Sequence, residues 1–154
     1  MSTRRAWGTW LIVSWLIAGT FDICYAIGFS YLRGGVPPSR VLHFVASGAL
    51  GPDAYTGGAV TAALGLAFHY LIALIFTVAF FAVAQVQPWL IRRPVVSGVL
   101  YGLGIYLVMN FVVIPLSRIG PRPLPAAIVT ITGLLVHMFL IGTPIALGAR
   151  RASG

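Results

Sequence analysis

Four side chains in this sequence are placed to do chemistry, one in each long apolar run. Asp22 stands in "GTFDICYAIG", His69 in "LGLAFHYLIALIF", Asn110 in "YLVMNFVVIPL" and His137 in "TGLLVHMFLIG". Both histidines sit in the same local pattern, G-L-x-x-H. A carboxylate with two imidazoles can take up and release protons, so a proton or solute pathway is one reading. Two histidines on facing helices, with small residues beside them, would also suit a haem. A metal site would use His69, His137 and Asp22, but no HExxH-like spacing supports one, and no metal or cofactor is expected. No serine or cysteine stands in a nucleophile context, so no enzyme is expected either.

The remaining reading is architectural, and the sequence favours it. Asp22, His69, Asn110 and His137 would hydrogen-bond across a bundle and fix helix register, at roughly 0.6 to 2 kcal/mol each. An ionised Asp22 at membrane depth costs at least ~2.5 kcal/mol, so it is expected neutral or paired with a histidine.

These residues need elements to hold them. The chain has 154 residues, 59% hydrophobic and 8% charged, with a mean hydropathy of +0.98. Soluble domains carry about 25% charged residues, so this is an integral membrane composition. Four segments are long enough to span: about 7–32, 59–84, 95–116 and 126–147. The expectation is an all-α, four-helix transmembrane bundle, one domain over 1–154. The first span follows two arginines and lacks a clear A-x-A site, so it reads as a retained helix.

At 1.5 Å per residue, Asp22 and Asn110 each lie ~22 Å from the start of their spans. His69 and His137 lie ~15 Å and ~17 Å from the opposite side. All four therefore share a layer between the midplane and one leaflet. Helical phase puts small residues on the same faces. Steps of four lead from His69 to Gly65 and Thr61, and from His137 to Gly133. Asn110 continues a stripe through Tyr106, Gly102 and Gly98. Gly65, Gly98, Gly102 and Gly133 thus mark the expected helix-packing faces. Helices one and two resemble helices three and four in this arrangement, which suggests a weak parallel duplication.

All ten basic residues are arginines, against Asp22 and Asp53. They lie mostly in pairs at the ends of apolar runs, so anionic phospholipid, and no nucleic acid, is the expected partner. Six arginines fall on the side of the termini and four on the other, which favours cytoplasmic termini. Trp7, Trp10 and Trp89 fit interfacial anchors. The GxxxG face of helix three and the aromatic faces offer surfaces for a homo-oligomer or for lipid. Cys24 is the only cysteine, so no internal disulfide forms.

The loop 33–58 contains "SRVLHFVASGAL", read as a short interfacial helix capped by Ser39, with His43 at the surface. The later loop "SRIGPRPLP" is too short and proline-rich for a helix.

The stretch "GLAFHYLIALIFTVAFFAVAQVQPWLIRRPVVSGVLYGLGIYLVMNFVVIPLS" resembles a group of uncharacterised four-helix bacterial inner-membrane proteins, the YagU-like family. The residues that carry the resemblance are His69, Pro88, Gly98, Gly102, Pro115, Leu116 and His137. It covers about Gly65 to Ala146 and implies a multi-pass protein of the bacterial cytoplasmic membrane. It implies no activity, and Asp22 and Asn110 lie outside what it carries over.

Overall fold

The computed structural model describes residues 3–123 and 125–154. Among them there is no strand. The chain runs α1 (Thr3–Gly34), α2 (Pro38–Leu50), a 3-10 turn (Gly51–Tyr55), α3 (Gly58–Val86) and a short α4 (Pro88–Arg92). It ends with α5 (Pro94–Leu116) and α6 (Ala127–Ser153). Four of these, α1, α3, α5 and α6, are long and apolar enough to cross a membrane.

Proline and glycine punctuate the chain as their geometry requires. Pro38, Pro88 and Pro94 each open a helix, where the missing N–H has no partner to lose. Gly35, just past α1, has φ +65°, a left-handed stop that a side chain would resist.

Both chain ends lie on one face, hereafter the terminal face. There Arg151 lies over the Trp10 ring, 5.1 Å from its centroid. The opposite end is the loop face. Along the terminal half the helices close on a dry core of Ala18, Phe80, Phe81, Ile145, Ala146 and Ala149. Small residues bring α1 and α6 together, with Gly148 directly against Ser14. The α5–α6 contact is closer still: a Cβ on Gly102 would run into the His137 carbonyl, and one on Gly142 into the Gly98 carbonyl. Helix α3 meets α5 through one aromatic bridge. The Tyr101 hydroxyl donates to the Phe76 carbonyl at 2.6 Å, and its ring packs edge-on against Phe80 at 4.9 Å.

Some expectations are extended and others corrected. The fourth helix continues beyond the expected span to Ser153, where Ala149 and Ala152 keep it buried although polarity rises. The short helix expected in the loop forms as α2 and packs against α3. Its Leu42 carbonyl sits where a Cβ on Gly65 of α3 would be, and Ala46 is fully buried. Ser39 does not cap it; Pro37 stands at that position and no side chain caps. His43 is buried, with Nε2 2.9 Å from the Gly58 carbonyl, because α2 presses this face onto the start of α3. Trp7, half-buried, also packs edge-on against Phe81 at 5.7 Å, a contact the sequence did not reveal.

Candidate functional site

On the loop-face half the helices splay, and a cavity of about 230 Å³ opens between α1, α2, α3, α5 and α6. Asp22, His69, Asn110 and His137 all line it. The rest of its wall is apolar, with Ile72, Phe76 and Met109 among others. A second, wider cavity of about 660 Å³ continues toward the loop face. The two share Asp22, Ala26, Val41, Phe44, Asn110 and His137. The polar residues among them thus stand at the inner end of the wider cavity, the base of a recess, and the narrower cavity runs on past them to Ala18, Ile141 and Ile145 of the core. At the mouth stand Arg40 and Arg122.

Three of the four polar side chains, all but Asp22, are fixed by a backbone carbonyl. His69 reaches across from α3, with Nε2 2.8 Å from the Gly19 carbonyl of α1. Gly19 leaves that approach open, since a Cβ there would be 2.9 Å from the Tyr70 ring. Tyr70 completes the seam: its carbonyl accepts the Trp15 indole N–H at 2.7 Å, and its hydroxyl lies 2.9 Å from Thr20 Oγ1. His137 turns back on its own helix, with Nδ1 2.8 Å from the Gly133 carbonyl. Asn110 does the same, donating from Nδ2 to the Tyr106 carbonyl at 2.9 Å.

A carbonyl only accepts, so the ring nitrogen that faces it must carry the proton. In neutral His69 this leaves Nδ1 as an acceptor, and Nδ1 faces Asp22 Oδ2 at 4.0 Å. These two acceptors stand 4.0 Å apart, beyond direct hydrogen-bond length, a gap that a shared donor would bridge. Asp22 is the more open partner, its side chain 30% exposed against 10% for His69. The recess therefore reaches the pair through the carboxylate.

No family model matches this chain, and no curated protein or solved structure matches it.

The polar layer thus differs from a cross-bundle network. Only the His69–Gly19 bond and the Asp22–His69 approach join two helices; Asn110 and His137 bond within their own. A haem held between His69 and His137 is disfavoured, since His69 Nε2 is already engaged at Gly19. Among the described residues no three His, Cys, Asp or Glu side chains converge on a metal position.

Two features escaped the sequence reading. The arginines at the mouth were read only as membrane-end charges. And both walls carrying Asn110 and His137 contain a π-helical turn, Met109–Val113 in α5 and His137–Gly142 in α6. Each lies just upstream of a proline inside the span, Pro115 and Pro144. A mid-helix proline removes an N–H and crowds the preceding turn, and a wide turn relieves both. The prolines were the available signal.

Proposed function

We propose that this chain is a small, non-enzymatic, multi-pass protein of a bacterial cytoplasmic membrane. It admits a proton or small solute from the loop face to the Asp22–His69 pair. The observation that carries this reading is the pair itself, two facing acceptors at the base of a recess open on one side and closed by dry core on the other. Ionisable residues inside a span are costly, and those that line a cavity mark pathways for protons and solutes. The arginine excess at the terminal face supports cytoplasmic termini, which makes the recess outward-facing. The resemblance to YagU-like proteins supports the bacterial inner membrane.

The test is proton flux in liposomes that enclose a pH-sensitive dye. Because the Phe80–Ile145 core closes the terminal side, transit requires that core to open in turn, as in alternating access. On that cycle the intact protein should dissipate an imposed pH gradient, and Asp22→Asn should slow this by at least ~10-fold, the loss of about one charged hydrogen bond. Flux equal to that of empty liposomes would sink the pathway reading.

A second reading is favoured by one bond. His69 to the Gly19 carbonyl ties α3 to α1, as a purely architectural residue would. Under it, His69→Leu lowers thermal stability by roughly 0.6 to 2 kcal/mol and flux is absent throughout.

A further inference from the structure

We propose that the recess binds a small soluble zwitterion, with its ammonium at the Asp22 base and its carboxylate or phosphate at the Arg40–Arg122 mouth. The proposal rests on the reading of the recess as open to solutes, and extends it to a ligand class.

The base is built from acceptors. His69 and His137 each spend their ring N–H on a backbone carbonyl, and Asn110 spends one of its two amide N–H groups the same way. What remains is the Asp22 carboxylate, the second ring nitrogen of each histidine, the Asn110 oxygen and a single Asn110 N–H, four acceptor groups against one donor. Such a set calls for a ligand rich in donors and positive in charge. A metal ion fits poorly, since no three ligating side chains converge among the described residues. An ammonium, with three N–H donors, fits the set.

The mouth has the opposite character. Arg40 lies over the Tyr55 ring at 4.4 Å and Arg122 over the Phe44 ring at 4.8 Å. Arg40 and Phe44 are one turn apart on α2, so both guanidiniums flank the same helix face. The chain has only two acids, and among the described residues neither guanidinium has a carboxylate within ion-pair distance. Each is held by an aromatic face with its N–H fork free for an anion. A simple amine would meet two positive charges on its way in. A simple anion would find acceptors at the base. A molecule with both charges satisfies both ends.

The walls between are largely apolar, with Phe29, Val41 and Val129 among them. On α1 the lining runs from Asp22 to Ser30, or ~12 Å at 1.5 Å per residue. The ligand class is therefore an amine and an acid separated by an apolar linker. In 6-aminohexanoate the two charges lie ~7–8 Å apart, and a ~2.8 Å hydrogen bond at each end brings its reach near that span; an ethanolamine headgroup, with its charges closer together, reaches less far.

Equilibrium dialysis tests this on the full chain in detergent micelles, with radiolabelled 6-aminohexanoate as the probe. Hexylamine and hexanoate, each carrying one of its charges, serve as competitors. We expect saturable binding, with each competitor at least ~10-fold weaker, the loss of about one charged hydrogen bond. Asp22→Asn should weaken the probe by a similar factor. The exposed pair Arg40→Gln and Arg122→Gln, remote from the core, should erase the preference over hexylamine. Absence of saturable binding to folded protein overturns the proposal, as does equal competition by hexylamine or hexanoate. Binding without proton flux removes the proton pathway and leaves the zwitterion site; flux without binding does the reverse.

Discussion

At the residue scale, the positions of the polar side chains were legible and their partners were not. Asp22, His69, Asn110 and His137 stand out because each is alone among apolar neighbours. All four line one cavity. Their acceptors, though, are the carbonyls of Gly19, Tyr106 and Gly133, and a carbonyl has no signature in sequence. His43 was misplaced for the same reason: its partner is the Gly58 carbonyl, created only when α2 docks. The Tyr101 hydroxyl offers a clean test of such bonds. Tyr101→Phe removes its donation to the Phe76 carbonyl and keeps the ring against Phe80. Thermal or denaturant unfolding should show a loss of about 1 kcal/mol, with the recess unchanged.

At the element scale, spans and packing faces followed from composition and from small residues at four-residue spacing. Gly65, Gly98, Gly102 and Gly133 are all buried. What the pattern lacked was the path of each helix. The π turns in α5 and α6 shift the phase of everything after them, and the stripe rule assumes a regular helix. The packing of α2 on α3 was not legible, because its apolar residues fit a lipid surface as well as a protein one. Two glycines of α5 separate packing from propensity. Gly102→Ala forces a methyl against the α6 backbone and should cost more than the ~1–3 kcal/mol typical of overpacking. Gly104 has open space around it, so Gly104→Ala should stabilise by up to ~1 kcal/mol through helix propensity. Unfolding of the two variants under one condition checks both signs.

At the scale of the whole molecule, the helices divide into a sealed half and an open half. Alanine and glycine let α1, α5 and α6 close at the terminal face, while α2 wedges between α3 and the end of α5 at the loop face. The Arg118 N–H donates to the Gly48 carbonyl at 2.9 Å and pins that end. Cysteine labelling maps the division. With Cys24 replaced by alanine, Ser30→Cys and Val129→Cys should react with a membrane-impermeant thiol reagent added from the loop side. Ala84→Cys, in the core, should stay unlabelled until the protein is denatured. Labelling of Ala84→Cys in the folded protein would contradict a dry seal.

The seal also fixes where a transmembrane voltage falls. On the proposed reading, water and ions entering the recess would make it conduct, and the potential drop would be confined to the core around Phe80, Phe81 and Ile145. Asp22 and His69 then sit at nearly the electrical potential of the loop side. A lone charge driven past the seal meets the whole field, about 2.3 kcal/mol per 100 mV. A zwitterion, with no net charge, crosses the same barrier with no electrical work.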